Sequence, residues 1–262
     1  MDAYFDIFSG ISGNMVLGAL IDLGVEVDEL KKEINKLGIS EEYELKVNTV
    51  QKSGITGTYV DVELEEHHHH SEDDDHSHTH GHSHGRGLKE IIELLDKSDL
   101  SAEIKEKSKL IFTNLAEAEA GIHNKDVNEI HFHEVGAVDA IVDIVGSVIG
   151  LDILGIENIY ASRINTGNGF VKCEHGIIPV PAPATMELLK NIPIYSSGIE
   201  KELVTPTGAA IITTLADEYG SRPDMKIKKT GYGAGSYDLE IPNLLRINLG
   251  NIKSQKKKMQ LS

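Results

Sequence analysis

The segment "HFHEVGAVDAIVD" sets His131 and His133 two residues apart and Asp139 and Asp143 four apart. On an extended strand the two imidazoles share one face, opposite Phe132 and Glu134; on a helix the two carboxylates share one face. A strand running into that helix brings two nitrogen ligands and one or two oxygen ligands around a single divalent ion. A break in the alternation at the turn frees Glu134 as a general base beside His133. The plainer alternatives are a structural histidine pair and an aspartate that favours the helix dipole. Asp143 fits the latter poorly, because its neighbours Ile141, Val142, Ile144 and Val145 are all apolar.

A second source of ligands is "HHHHSEDDDHSHTHGHSH", residues 67–84, which holds nine of the thirteen histidines: His67, His68, His69, His70, His76, His78, His80, His82 and His84. Its internal position and its interruptions by Ser, Thr and Gly are those of a native segment, not of a purification tag. Without an apolar side chain it cannot join a packed core, and it is expected to be disordered. Neutral imidazole suits nickel, zinc and copper, so many of them raise the chance of metal capture. A solvated loop that binds metal incidentally is the bland reading. Further along, "CEHG" places Cys173, Glu174 and His175 before a rigid proline run, and His175 is a further candidate metal ligand.

Two glycine turns are candidate anion cradles. "FSGISGNM" offers Ser9, Gly10, Ser12 and Gly13 between a strand and a helix, where free backbone N–H groups take phosphate. No Gly-Lys-Ser/Thr follows, so it is not a P-loop. "TPTG" repeats the logic at Thr207 and Gly208, although such a stretch is more often a simple helix cap. Arg246, near the last strand, can hold a phosphate in bidentate fashion or sit in a surface ion pair.

The elements that must position these groups alternate strand and helix. Strands are expected at Ala3–Phe8, Glu42–Val50, Thr58–Leu64 and Ile159–Asn165, and "KELVTPTG" reads as strand and turn. Helices are expected at Met15–Leu23, at Glu29–Leu37 behind an Asp28 cap, and over Leu88–Leu95, Ser101–Ala120, Val138–Leu154, Ala184–Lys190 and Ala209–Tyr219. The stretch "TGYGAGSYDLEIPNLLRINLG" reads as a glycine loop and a last strand. This pattern predicts an α/β (or α+β) fold with a mixed sheet, one domain over residues 1–252 interrupted by the His-rich loop at 66–87, and a loose tail at 253–262.

A net charge of −17 argues against nucleic acid and anionic membranes as partners and suits a protein that attracts cations. No eighteen-residue apolar run marks a membrane span, and no basic n-region marks a signal peptide. The lone cysteine excludes internal disulfides and fits a cytoplasmic setting.

Five motifs taken in order, "FDIFSGISGNMVLGALIDLG", "IHFHEVGAVDAIVDIVG", "HGIIPVPAPAT", "ELVTPTGAAI" and "GYGAGSYDLEIPNLLRINLG", resemble those of the nickel insertion proteins of nickel-pincer-nucleotide biosynthesis. The His-rich insertion also resembles that family's. The resemblance implies insertion of Ni(II) into pyridinium-3,5-bisthiocarboxylic acid mononucleotide, with two nickel–sulfur bonds and one nickel–carbon bond, to make the cofactor of lactate racemase-type enzymes. It implies CTP with Mg²⁺ or Mn²⁺, at a site in a C-terminal region that this sequence does not contain. That half is expected as a separate partner, or as the product of ribosomal slippage near Lys256–Lys258, and self-association is kept open. The family turn usually ends in Asp where Asn14 stands here, which removes a charge. A nickel store or delivery module is the rival reading, and a metal-dependent hydrolase ranks third.

Overall fold

A computed structural model describes residues 1–64, 86–127, 130, 132, 138–173 (backbone only at 173) and 176–252. The His-rich histidines, His131, His133, Glu134, His175 and the 253–262 tail lie outside the described residues. The chain opens with β1 (Asp2–Asp6), α1 (Gly13–Asp22) and α2 (Val27–Ile34), then the hairpin β2 (Tyr43–Lys52) and β3 (Ile55–Leu64). Three helices follow, α3 (Leu88–Lys97), α4 (Ala102–His123) and α5 (Val138–Ile153), then β4 (Asn158–Ala161) and β5 (Ile164–Asn165). Next come the hairpin β6 (Phe170–Cys173) and β7 (Gly176–Pro179), α6 (Pro183–Leu188) and β8 (Ile194–Tyr195). The described chain closes with α7 (Pro206–Leu215), β9 (Glu218–Tyr219), β10 (Met225–Ala234) and β11 (Leu244–Ile252).

A seven-stranded mixed sheet in the order β2-β3-β10-β11-β1-β4-β9 organises the molecule, as the alternation of elements predicts. β4 and β9 run parallel to β1, β11 runs against it, and β3 again points the same way as β1. The carboxyl ends of β1, β3, β4 and β9 therefore face one end of the sheet. α1 starts there, and α5 and α7 start there too before running back to feed β4 and β9. Ala3, Phe5 and Ile7 join Leu245, Ile247 and Leu249 in the core with the apolar residues of α1 and α5. Tyr4, Asp6, Arg246 and Asn248 point the opposite way, following the period of two.

The fit of α1 onto the sheet is unusually close. A Cβ at Gly233 would collide with the Met15 carbonyl, one at Gly231 with the Ala19 carbonyl, and one at Gly18 with the Thr58 carbonyl. Glycine on both surfaces lets backbone lie directly on backbone. This corrects the expected glycine loop, because "TGYGA" is the end of β10 and its glycines mark helix contact, not a turn. Other boundaries shift for local reasons. α2 is capped at Glu26, which leaves Asp28 in the first turn facing the positive helix end. The β2–β3 turn shrinks to Ser53–Gly54, both with positive φ, and both strands lengthen. Ile159–Asn165 splits into β4 and β5, which join different sheets. The helix expected to reach Tyr219 stops at Leu215, and Glu218–Tyr219 becomes β9. "KELV" pairs only through isolated bridges, Gly167 with Glu202 and Ile11 with Val204.

Gly233→Ala should therefore destabilise the protein by about 3 kcal/mol, the upper range for forcing a methyl group into a filled contact. Urea unfolding followed by circular dichroism checks this, and a loss below about 0.5 kcal/mol would mean that the helix can ride up off the strand at little cost.

Candidate functional site

The first glycine turn and the start of α7 form one clamp. The Ile11 N–H donates to the Leu203 carbonyl at 2.9 Å, and the Thr205 N–H donates to the Ile11 carbonyl at 3.1 Å. Gly10 takes φ +84°, and a side chain there would meet the Leu203 carbonyl. A Cβ at Gly208 would lie 2.6 Å from the Ile11 carbonyl carbon and 2.7 Å from the Ser12 Cα. The Gly208 N–H is capped by Thr205 Oγ1 at 3.2 Å, so the plain capping role of "TPTG" is present. Ser9 and Gly10 are buried, and the Ser9 hydroxyl has no hydrogen-bond partner among the described residues. A cavity of about 110 Å³ opens beside the clamp, between Ser12, Asn14, Thr205, Ser236 and Tyr237.

On the other side of the same turn stands the aspartate pair. Asp139 and Asp143 occupy one face of the first turns of α5, as their spacing predicts. Asp143 packs straight onto Gly13, where a Cβ would lie 2.5 Å from its Oδ2 and 2.6 Å from its Cβ. Any side chain at position 13 would displace the carboxylate. Part of the Asp143 residue reaches the surface, but its Oδ1 is out of solvent contact. Neither that atom nor Asp139 Oδ1 has a hydrogen-bond partner among the described residues. Burial pushes the Asp143 carboxyl well above the usual carboxylate range, the Asp139 charge adds to the rise, and Asp61 adds a smaller part. The Asn14 backbone N–H opposes it. Burial also raises Asp139, against hydrogen bonds from its own N–H and that of Ala140. Two neighbouring carboxyls raised in this way resist ionising together.

Asn14 suits this setting better than an aspartate would. Its Oδ1 accepts from Ser12 Oγ at 2.5 Å and its Nδ2 donates to the Val60 carbonyl at 3.3 Å. A carboxylate cannot make the second bond and would add charge beside Asp61, Asp139 and Asp143.

Among the described residues no group of three His, Cys, Asp or Glu is gathered closely enough to hold a metal ion. The aspartates therefore make an incomplete site on their own, and the imidazoles expected beside them lie outside the described residues. Arg246 is engaged. Its Nε donates to Asp6 Oδ2 at 3.1 Å, its Nη2 pairs with the same oxygen, and its guanidinium lies over the Phe8 ring at 5.7 Å. Sequence reasoning missed Asp61, whose place in an alternating strand looks like that of any outward polar residue. It also missed the 203–205 stretch that seats the turn.

A mixed sheet with α1, α5 and α7 starting at the carboxyl ends of its parallel strands, and a glycine turn there packed onto Asp143, defines an α/β protein of the kind whose ligand sites lie at that end of the sheet. A family model described as nickel insertion protein matches residues 3–262, and the chain belongs to that family. It is 50% identical over 97% of its length to the pyridinium-3,5-bisthiocarboxylic acid mononucleotide nickel insertion protein of Desulfitobacterium hafniense, of which it covers 60%. The protein of the same name from Clostridium kluyveri is 51% identical over 97% of this chain and 63% of its own length. A putative nickel insertion protein of Dictyoglomus thermophilum is 48% identical over 95% of this chain and 60% of its own. The chain thus spans about three fifths of the length of these relatives. No solved structure matches it. No described helix is long and apolar enough to cross a membrane.

The linkage of the buried acid to stability has a definite sign. A carboxyl raised on folding disfavours its own ionised form in the folded state, so stability falls as pH rises from the unfolded value through the folded one. Asp143→Asn removes this penalty. Without metal, the variant should be more stable than the parent by about 1–3 kcal/mol at pH 8 and indistinguishable at pH 3.5. Thermal unfolding at the two pH values tests this, and a variant less stable at pH 8 would show that the carboxylate already has a compensating partner.

Proposed function

We propose that this chain carries the nickel-handling part of a chelatase that inserts Ni(II) into pyridinium-3,5-bisthiocarboxylic acid mononucleotide. The observation that carries this reading is the placement of Asp143, a carboxylate with one atom out of solvent and unpartnered among the described residues, against Gly13 in a chain of this family. Nickel is the cargo. His67–His70, His76, His78, His80, His82 and His84 collect it, and His131, His133 and His175 complete the ligand set that Asp139 and Asp143 begin.

The chemistry asks three things of the chain. The mononucleotide must be held by its phosphate, for which Ser9, Gly10, Ser12, Gly13, Thr207, Gly208 and Arg246 are the candidates. The ring carbon must lose a proton as nickel takes its place, and Glu134, or His133 where it is not itself bound to nickel, accepts that proton. Nickel, as a Lewis acid bound to the flanking sulfurs, weakens that carbon–hydrogen bond and keeps its oxidation state throughout. The relatives' additional length fits a further region supplying CTP chemistry with Mg²⁺ or Mn²⁺, in cis or as a separate chain, in a reducing cytoplasm.

The purified protein should be mixed with Ni(II), CTP and the mononucleotide, with and without a separately expressed C-terminal half, and racemase activation measured. Insertion should appear with the second half and fall at least about tenfold in Asp143→Asn. Removal of residues 67–84 should lower nickel stoichiometry yet leave one site and reduced insertion. If that deletion removes all bound nickel, and no combination inserts any, the chain is a nickel store, as its run of histidines alone would suggest.

A further inference from the structure

The open face of the sheet ends in a basic corner, far from the glycine turn. α1 and α5 pack on the face that carries Ala3, Phe5, Ile247 and Leu249. On the opposite face the strand register sets Met225 beside Ile252, and Ile227 beside Gly250. Ile227 is 40% exposed, and Met225 and Ile252 are half-buried. Residues 222–229, "RPDMKIKK", hold four cations and one acid in a chain of net charge −17. Arg222, Lys226 and Lys228 are exposed, and no ion pair among the described residues involves them. Lys229 turns the other way, and its Nζ donates to the Leu23 carbonyl at 3.1 Å, which closes the helix side of this end.

The first and last described strands leave the sheet at this same corner. β1 and β11 are neighbours, the Ile252 N–H donates to Asp2 Oδ2 at 2.7 Å, and Ile252 pairs with Met225. The match to the Desulfitobacterium hafniense relative takes in 97% of this chain and 60% of the relative, so the relative's further length joins here, whichever terminus carries it. We propose that this corner docks that further region, which sets an apolar patch on Met225, Ile227 and Ile252 and acidic side chains against Arg222, Lys226 and Lys228. Cations clustered at one end of a strongly acidic protein attract an acidic surface and steer it to that spot. A second copy fits poorly, because a two-fold contact through this patch sets lysine against lysine between two chains of −17 each. Strand addition fits poorly too. β3 pairs with β10 only at Gly233, which leaves the edge of Met225–Lys229 free, but that edge carries lysines and a bulge between Ile227 and Lys229. The docked region therefore lies on the face and not along the edge. Docking at this corner goes beyond the chelatase reading and does not depend on it.

The part of the Desulfitobacterium hafniense relative outside the match, tagged and co-expressed with this untagged chain, should retain it on an affinity column as a stable complex. The complex should weaken at least about tenfold on raising salt from about 50 to about 300 mM, and by as much in Lys226→Glu/Lys228→Glu and in Ile227→Asp. Lys89→Glu/Lys97→Glu, the same change of charge on the exposed side of α3, should bind like the parent. Melting temperatures should match the parent's; if Ile227→Asp melts early, the lysine pair decides. Should the relative's part be insoluble when separate, the full-length relative with Glu at the positions aligned with Lys226 and Lys228 decides, since limited proteolysis should then release the region at least about tenfold faster. No complex between soluble partners, unchanged proteolysis, equal loss in the α3 control, full affinity in the corner variants, or a dimer of this chain alone that Ile227→Asp dissolves would each overturn the proposal. Corner variants that bind and insert nickel normally would remove only the corner. A corner-dependent complex that inserts no nickel would leave the corner standing and remove the chelatase reading.

Discussion

The contact between the backbone of α1 and the backbone of the sheet is the constraint on which the rest depends. Gly18 on the helix and Gly231 and Gly233 on β10 let backbone touch backbone at these positions. Ordinary helix–sheet packing leaves a layer of side chains about 10 Å thick; here the helix comes closer than any Cβ allows. The depth of α1 fixes the height of its first turn, and hence where Gly13 and Asn14 stand relative to Val60 on β3 and Asp143 on α5. A looser helix would move the glycine turn off both of its neighbours.

That turn is a hub with different chemistry on its sides. Its backbone is pinned to Leu203 and Thr205, so the start of α7 moves with it. Its far end presses on an aspartate pair, and its near end, Phe8, carries the Arg246 guanidinium over its ring. The acidic and basic regions are thereby held apart by a short rigid segment, although the protein as a whole is strongly acidic. An arginine lying over an aromatic ring and an aspartate with one oxygen shut away from water thus sit at the same end of the sheet, the first favourable and the second costly to arrange.

Much of the architecture was legible in the sequence because it rests on local signals. Apolar periodicity placed α1, α4 and α5 within a few residues of where they lie, Ser101 caps α4 through its hydroxyl, and Pro183 opens α6. The failures share one cause. Gly231 and Gly233 look like punctuation until a helix is laid on them, and Ile159–Asn165 looks continuous until its two ends are seen to pair with different strands. At the site, the i, i+4 spacing of Asp139 and Asp143 showed that they share a face, and the two glycine turns looked like separate cradles. That Ile11 and Val204 bridge them is long-range pairing that no short window contains. Asp61 carried no motif; only the order of strands makes it a neighbour of anything.

β3 ends at Leu64, three residues past Asp61, and the histidine-bearing stretch begins at His67. On the proposed function, a metal ion bound by that stretch would be covalently tied to the strand whose Asp61 adds to the rise of Asp143. Such a leash replaces diffusion from dilute solution by an intramolecular search at an effective concentration of roughly millimolar. On the proposed function, the number of residues between imidazole and aspartate would then enter the supply rate alongside the affinity of either end.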